Sequence, residues 1–225
     1  NVPLNELLIP FFDKFPNENR NINFQKIVAS VDKIDDNKFK IKLKSGEEYT
    51  YDAVIFALTP FALKKIETNF HIPSLEEFEP SPIVSLYMWS EEDFMKEDFY
   101  ALIGSNFQWI FREYSRSLRY TLTISGADNY LNLSKNEIIE FAFRDLEQTF
   151  PNFNRNFIYH SLVIIEKQAT IKLTPNAEQL RPIQKVSNGI YLAGDWTKTG
   201  LPATMESAAL SGKLASRYLT TDLSL

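Results

Sequence analysis

The sequence of 225 residues has no cysteine and only two histidines, His71 and His160, which lie far apart. The lack of cysteine excludes a disulfide framework, a thiolate nucleophile and a cysteine metal site. Two distant histidines make a zinc site unexpected, so we predict no metal centre. Lysine and arginine number 24 against 29 acidic residues, without a basic block. This balance argues against a protein that binds nucleic acid through its phosphates.

Long hydrophobic runs are also lacking. No apolar stretch approaches the roughly 18 residues of a membrane-spanning helix, and no signal peptide is recognisable. We therefore expect a cytoplasmic protein. Hydrophobic residues make up 44% of the chain, which is enough for one large domain or two small ones. The chain begins with Asn1 and runs straight into apolar sequence, which is expected of a truncated chain, a proteolytic product or a piece of a longer protein.

The first part of the chain has the patterns of short strands. Residues 4–15 are predicted to form a short amphipathic helix or turn, and residues 21–30 a strand. Apolar and polar residues alternate over residues 31–51 between two turns, which predicts a three-stranded antiparallel meander. The continuous apolar run at 53–58 is typical of a strand covered on both faces.

The middle of the chain differs in composition. Residues 73–82 are rich in proline and glutamate and form a connection, after which several apolar strands are predicted up to residue 165. A helix is predicted at 134–150, where Ser134 and Glu137 have the spacing of a capping box. These patterns predict an antiparallel sheet with at least one helix, flanked by pieces of parallel-sheet character.

The stretch from Gly189 to Ser216, GIYLAGDWTKTGLPATMESAALSGKLAS, joins a buried strand, a Gly-Asp tip, a polar turn and a helix. Gly194 has no Cβ, so a ligand or another backbone can come close to it. Asp195 presents a carboxylate at the carboxyl end of the strand, where open α/β sheets bind ligands. Such an acid suits sugar-alcohol hydroxyls, or water and amides around a phosphate, rather than the phosphate itself.

The helix that follows supplies complementary hydrogen-bond donors. Pro202 fixes φ just before it, and the N–H groups of residues 203–206 have no intrahelical acceptor. They form a partly positive cluster that suits an electron-rich oxygen. A plain strand–turn–helix, with Asp195 as a capping acid, is the structural alternative. A stripe of small side chains predicts that the helix packs closely on a sheet: Ala208, Gly212 and Ala215.

Residues 191–216 strongly resemble the C-terminal FAD motif of the flavin-containing amine oxidase and phytoene desaturase superfamily. Gly-Asp-Trp-Thr followed by Leu-Pro-Ala-Thr-Met-Glu is most similar to the squalene-associated desaturases, the hydroxysqualene dehydroxylases. Residues 166–182 resemble the segment that precedes this motif. Residues 22–34 and 49–60 resemble the adenine-contacting strand, meander and following strand.

The resemblance implies a mixed α/β (α+β) fold in three segments. Residues 1–72 and 176–225 would form a partial, Rossmann-like FAD-binding domain with a β-meander. Residues 73–175 would form an inserted substrate domain with an antiparallel sheet and helices. The implied activity is redox chemistry with FAD at an allylic or amine carbon, and in the squalene-linked branch the reductive removal of an allylic hydroxyl.

The resemblance also implies a set of cofactor-binding residues and no assigned catalytic residue. Val28 would hold adenine through its backbone, and Gly194 and Asp195 would approach the pyrophosphate and ribityl chain. Thr204 and Met205 would offer N–H groups to the O2 edge of the isoalloxazine, where positive charge stabilises reduced flavin. The full set is Val28, Gly194, Asp195, Trp196, Ala203, Thr204 and Met205.

Two features depart from the family pattern. Ser207 stands where the family's helix commonly has glycine, a mild change that could crowd the ring. No two of the seven glycines are separated by a single residue, so the Gly-x-Gly-x-x-Gly phosphate fingerprint is absent. The chain therefore looks like the C-terminal half of such an enzyme. We expect it to bind FAD weakly or not at all when isolated, to be inactive alone, and to expose a sheet edge that favours self-association or a partner with the N-terminal half.

Several other candidates have two interpretations. Trp196 is a candidate wall of the flavin ring and equally a core or surface residue. Lys167 and His160 are expected to be strand-end or rim residues rather than catalytic groups. Aromatic residues of the middle segment are candidates for an apolar substrate tunnel or for ordinary core: Phe94, Phe99, Tyr100, Phe107, Trp109, Phe111 and Tyr114.

We therefore predict the C-terminal part of an FAD-dependent oxidoreductase that acts on an apolar isoprenoid-type substrate. One alternative is an amine or protoporphyrinogen oxidase of the same superfamily. The other is a non-catalytic fragment that serves as a binding or assembly module. The expected partners are FAD and an apolar small molecule, with no nucleic acid, while peripheral contact with a membrane is left open.

Overall fold

The computed structural model describes residues 22–114 and 117–224. The predicted helix or turn at 4–15 lies outside them. The strands are β1 (Val28–Asp35), β2 (Lys38–Leu43), β3 (Glu48–Tyr51), β4 (Val54–Ala57), β5 (Glu67–Thr68), β6 (Pro80–Ser90), β7 (Phe99–Ala101), β8 (Trp109–Tyr114), β9 (Leu118–Ser125), β10 (Ile158–Ile171), β11 (Lys185–Ser187) and β12 (Ile190–Ala193). The helices are α1 (Pro60–Leu63), α2 (Lys135–Thr149), α3 (Ala177–Leu180) and α4 (Met205–Asp222).

The chain divides into two compact units. Of the described residues, the first comprises 22–52 and Ile66–Phe70, and the second Ala53–Lys65, 71–114 and 117–224. The boundaries of the predicted segments 1–72, 73–175 and 176–225 differ from those of the two compact units, and the three segments stay a prediction. No helix within residues 22–114 and 117–224 is both long and apolar enough to span a membrane.

The first unit is a four-stranded sheet in the order β3-β2-β1-β5, and it confirms the predicted meander. Its inward-facing side chains Val31, Phe39 and Leu43 are buried, as the alternating pattern requires. The first strand begins at Val28 rather than near residue 21, so that boundary was wrong. Gln25 has a φ of 58°, a left-handed conformation that interrupts an extended chain.

A three-stranded sheet in the order β11-β12-β4 belongs to the second unit. Strands β4 and β12 are parallel, with Val54 opposite Ile190 and Ala57 opposite Ala193. All four residues of β12 are buried, and Ala215 of α4 packs against this strand. This pair brings together two pieces of sequence that lie on either side of the whole middle segment.

The prediction that residues 53–58 are covered on both faces was wrong. Phe56 is buried, whereas Ile55 is 38% exposed and Ala57 is also exposed. Strand β4 therefore alternates like a strand with one covered face. Its outer edge pairs with no strand among the residues that the structure describes.

The predicted antiparallel sheet of the middle segment is confirmed as five strands in the order β10-β6-β9-β8-β7. Alternate residues of β6 and β9 point to a core that helix α2 covers. A sheet with one buried face is expected to alternate in this way. The most buried members of this core include Val84, Leu86, Met88, Phe107, Ile110, Tyr120, Leu122, Ile138, Ala142 and Leu146.

Helix α2 begins with the predicted capping box. The amide of Ser134 donates to Glu137 Oε2 at 2.8 Å, and the amide of Glu137 donates to Ser134 Oγ at 3.3 Å. Asp145, on the buried face, accepts from Asn106 Nδ2 and from the amide of Phe107, each at 3.0 Å. The helix therefore holds the turn before β8 through a buried carboxylate whose oxygens are satisfied.

The end of α4 is tied to β11 and β12 by one carboxylate. Lys185 Nζ donates to Asp222 Oδ1 and the Tyr191 hydroxyl donates to Asp222 Oδ2, both at 2.6 Å. The bond from Lys185, followed by that from Tyr191, lowers the pKa of Asp222. Burial, followed by the bond to Asp222, raises the pKa of Tyr191 to about 12.

We expect the substitution Asp222→Asn to remove a stabilisation that depends on pH. Because the folded state lowers the pKa of Asp222, the ionised carboxylate stabilises the fold at neutral pH, and this contribution is lost as pH falls through the folded pKa. The thermal midpoints of wild type and D222N should differ most near neutrality and converge below a pH of about 4. Asp36→Asn, at a fully exposed carboxylate, is the control. A gap of constant size at every pH would contradict this expectation.

Candidate functional site

The candidate site lies where β12 ends and the chain turns through residues 194–204 into α4. The amide of Gly194 donates to Ser211 Oγ at 2.7 Å, which joins the strand end to the helix. The amide and the hydroxyl of Thr197 donate to the Gly194 carbonyl at 3.1 and 2.9 Å. The turn is therefore closed on itself and anchored to the helix that follows.

Glycine is required at position 194 by the packing of the protein's own side chains. A Cβ at this position would lie 2.6 Å from Cδ1 and Nε1 of Trp196 and 3.2 Å from the Leu58 carbonyl oxygen. The close approach predicted at Gly194 is therefore made by the protein's own indole ring. The prediction that Gly194 approaches the pyrophosphate stays untested.

Trp196 is a core residue. Its side chain is fully buried, its Nε1 donates to the Leu58 carbonyl at 2.8 Å, and its ring meets Phe78 edge-on with centroids 5.5 Å apart. A fully buried indole has no face open to a ligand, so the interpretation of Trp196 as a wall of the flavin ring is corrected. The ring packs the strand end against the residue after β4.

The carboxylate of Asp195 is the acidic group of the site that has unused capacity to accept hydrogen bonds. It is half-buried, and its Oδ2 accepts from Thr170 Oγ1, near the end of β10, at 3.4 Å. No other side chain or amide of the described residues donates to this carboxylate. An ionised carboxylate can accept about four hydrogen bonds, so Asp195 retains capacity for the hydroxyls of a ligand.

The start of α4 presents two open donors. The helix begins at Met205 with Thr204 as N-cap, whose Oγ1 accepts from the Ser207 amide at 3.4 Å. Ala203 and Thr204 therefore precede the helix, and no described residue accepts a hydrogen bond from their amides, as predicted for residues 203–206. The amides of Met205 and Glu206 find no acceptor among the described residues, and both residues are exposed.

The buried face of α4 agrees with the predicted stripe at Ala215 and differs from it at Ala208 and Gly212. Its members are Ser207, Ser211 and Ala215. Ala208 and Gly212 of the predicted stripe are half-buried, and a Cβ at Gly212 would meet nothing within 4 Å. The serine hydroxyls explain the rotation, because Ser211 bonds the Gly194 amide and Ser207 bonds a buried arginine. A pattern of small residues could not distinguish these two neighbouring faces.

Val28 opens β1 in the first compact unit and is half-buried. Strand β5 pairs only with Ser30 and Val31 on that side of β1. The edge of β1 beside Val28 therefore has no strand partner within the described part of the chain. An open edge of this kind is what contact with adenine through the backbone requires, and the assignment stays a prediction.

Two buried polar side chains that precede β12 in the sequence bind the backbone of the turn. They were not predicted from the sequence. Gln184 Nε2 donates to Thr197 Oγ1 at 3.0 Å and to the Lys198 carbonyl at 2.9 Å. Arg181, which is 5% exposed, donates to the carbonyls of Asp195 and Leu201 at 2.5 and 2.6 Å. Both lie in a polar stretch without periodicity, and nothing local signals that they are buried.

The aromatic candidates divide between core and surface. Phe94 and Phe107 are buried, Tyr100 is half-buried, and the side chain of Tyr114 lies outside the described residues. The face of the five-stranded sheet opposite α2, here called the aromatic face, carries the others. It comprises Tyr87, Trp89, Phe99, Trp109, Phe111, Leu162 and Ile164.

Three exposed rings form a stack on the aromatic face. The centroids of Trp109 and Phe111 are 6.1 Å apart, and Phe99 lies 6.2 Å from Phe111. Each of these rings is at least 41% exposed. His160 packs beside Trp89 at 4.9 Å, which agrees with a rim position. Exposed rings that cluster in this way are typical of a binding surface.

The described residues fit one end of FAD better than the other. The Asp195 carboxylate suits the ribityl hydroxyls, and the amides of Met205 and Glu206 suit a pyrimidine carbonyl oxygen. The guanidinium of Arg181 already donates to protein acceptors, so Arg181 is not a free cation for the pyrophosphate. Within residues 22–114 and 117–224, no group of three or more acidic or histidine side chains could hold a metal ion.

Comparison with known proteins gives both sequence and fold relatives. Residues 16–220 match the family described as flavin containing amine oxidoreductase. Hydroxysqualene dehydroxylase of Zymomonas mobilis is 29% identical over 78% of this chain and 39% of its own length. The chloroplastic 15-cis-phytoene desaturase of Arabidopsis thaliana is 24% identical over 99% of this chain and 43% of its own. Cyclohexylamine oxidase of Brevibacterium oxydans has a TM-score of 0.66 at 13% identity, over 88% of this chain and 48% of its own.

These matches confirm the predicted superfamily, the mixed α/β fold and a flavin as the family's cofactor. The structural neighbour, at 13% identity, shows the fold alone. The chain spans about two fifths of the length of the two curated relatives.

The contact between Gly194 and Trp196 predicts a non-additive pair of substitutions. Gly194→Ala should destabilise the chain by about 1–3 kcal/mol, because a Cβ would overlap the buried indole. In a Trp196→Leu background the same change should cost clearly less, since the overlapping ring is gone. Urea unfolding of the four proteins measures the coupling.

Gly212→Ala is the matched control for this cycle. A Cβ there meets nothing within 4 Å, so alanine in the helix should be neutral or stabilise by about 0.5–1 kcal/mol. If Gly194→Ala lowered the free energy of unfolding equally with and without the indole, contact with Trp196 would not be the reason for glycine at position 194.

Proposed function

The chain belongs to the flavin-containing amine oxidoreductase family, and from this premise we propose that it forms the C-terminal part of an FAD-dependent oxidoreductase for an apolar, isoprenoid-type substrate. The observation that carries the proposal is the pairing of an open carboxylate, Asp195, with two open helix amides at the end of β12. The names of the two curated relatives, a hydroxysqualene dehydroxylase and a phytoene desaturase, support the substrate class.

Different residues would bind different parts of the flavin end of FAD. Asp195 would accept hydrogen bonds from ribityl hydroxyls. The amides of Met205 and Glu206, at the positive end of α4, would donate to the pyrimidine carbonyl. When bound, FAD supplies a group that accepts or returns a hydride. A partial positive charge at the pyrimidine edge favours its anionic reduced form.

The aromatic face favours an apolar substrate over an amine. An ammonium substrate gains most from an unpaired acid, which forms a charge-assisted hydrogen bond with it. Glu113 on this sheet is paired with Arg119, and the Arg119 guanidinium lies over the rings of Tyr87 and Trp89 at 5.4 and 5.8 Å. The exposed stack of Phe99, Trp109 and Phe111 offers hydrocarbon area instead.

The outer side of β4 is where we place the remaining part of the enzyme. Ile55 and Leu58 are 38% and 37% exposed, and the outer edge of β4 has no neighbouring strand among the described residues. An uncovered apolar strand of this kind favours pairing with another chain segment. A partner that carries the N-terminal dinucleotide-binding part suits this surface, and self-association is the alternative.

Flavin binding tests this proposal. The chain purified alone should retain little FAD, because a phosphate cradle is missing from it. Co-expressed with the N-terminal region of a hydroxysqualene dehydroxylase, it should purify with a flavin absorbance spectrum. Asp195→Ala should then weaken FAD binding by about tenfold or more, since bonds to a charged acceptor are lost.

Asp36→Ala, at a fully exposed acid, is the control for that titration. A yellow protein from the chain alone would show that no second part is required. Absence of flavin from every combination would refute the proposed function.

Substrate class is tested with the same reconstituted protein. Phe111→Ser should raise KM for an isoprenoid substrate by about tenfold, because the exposed ring no longer packs against the bound hydrocarbon. The flavin content should be unchanged. Ile103→Ser is the control, since Ile103 is 97% exposed on a turn. Turnover of amines or protoporphyrinogen in place of isoprenoids would favour the alternative oxidases.

A further inference from the structure

Arg181 is a buried cation that bridges the strand, the turn and the helix of the site. Its Nη2 donates to the Asp195 carbonyl at 2.5 Å and to Ser207 Oγ at 3.1 Å. Its Nη1 donates to the Leu201 carbonyl at 2.6 Å and to Glu178 Oε2 at 2.7 Å. One planar guanidinium therefore contacts the end of β12, the end of the turn and the first turn of α4.

Ser207 is the point where these contacts meet. Its side chain is fully buried, and its hydroxyl lies 2.6 Å from Thr199 Oγ1 and 3.4 Å from the Asp195 carbonyl. The Thr199 hydroxyl in turn accepts from the Leu201 amide at 3.3 Å. A glycine at 207 would leave Arg181 without its helix contact, so the serine is part of the same arrangement.

The geometry of arginine is needed here. Four acceptors surround two terminal nitrogens, and a lysine ammonium, with three donors on one atom, cannot reach all of them. The Glu178 carboxylate is largely exposed, but the bond to Ser207 is buried and the bonds to the two carbonyls are partly buried, so losing these three leaves polar groups poorly satisfied. Arg181 therefore sets how far the Asp195 carboxylate stands from the open amides of Met205 and Glu206.

We propose that Arg181, acting with Ser207, is a positioning residue that holds the helix amides and the Asp195 carboxylate in the arrangement that a flavin requires. The proposal takes its ligand, a flavin, from the proposed function. The geometric part of the proposal concerns only Arg181 and residues 195–208 and needs no ligand. Arg181 touches no ligand in this account and acts through Asp195 and the start of α4.

Amide hydrogen exchange on the 225-residue chain tests the geometric part. Arg181→Lys should speed exchange at the amides of Leu201, Ser207 and Ala208 by about tenfold or more, because the acceptors of these amides lose their support. Amides in β6 and β9 should exchange at unchanged rates. Ser207→Ala should reproduce part of the local effect.

Arg217→Lys and Ser216→Ala are matched controls, since both residues are exposed on α4. Exchange at wild-type rates in Arg181→Lys would overturn the inference. Uniformly faster exchange in β6 and β9 as well would overturn it in favour of a purely structural role.

A second readout uses the reconstituted flavoprotein. Arg181→Lys and Ser207→Ala should shift the flavin reduction potential to more negative values, because the displaced amides no longer stabilise the anionic reduced form. An unchanged potential in a protein that retains flavin would overturn the positioning role. If the wild type bound no flavin, the proposed function would fail, and the exchange experiment would still decide the role of Arg181 in the turn.

Discussion

The site depends on the parallel pairing of β4 with β12. Trp196 extends this pairing past the strand ends, because its Nε1 donates to the carbonyl of Leu58, 138 residues away in sequence. Both strands end at the same edge of the sheet, which is where parallel sheets place ligand contacts. The indole occupies the space beside Gly194 and leaves Asp195 as the open group of the tip.

Local chemistry explains what the sequence could predict. The meander follows from strict alternation in β1 and β2, and the start of α2 follows from the capping pair Ser134 and Glu137. The strand, the Gly-Asp tip and the helix start are signalled by neighbouring residues, so their order was predictable. The family was predicted from the resemblance of the same stretch to the family's C-terminal FAD motif.

Contacts between distant residues explain what the sequence could not predict. Trp196 was ambiguous because its burial depends on Leu58 and Phe78. In the first two turns of α4 the buried face was predicted one residue too late, at Ala208 and Gly212, since serine hydroxyls that bond across the turn count as polar in any pattern. Arg181 was missed for the same reason: a buried arginine surrounded by carbonyls looks like a surface residue until its partners are known.

The central claim is that the open amides of Met205 and Glu206 face the flavin while Trp196 does not. The most direct measurement is titration of the ¹⁵N-labelled chain with flavin mononucleotide, followed by amide and indole chemical shifts. The account predicts that the Met205 and Glu206 resonances move with concentration and that the indole resonance of Trp196 stays in place. Shifts confined to the indole, or to residues far from the start of α4, would contradict it.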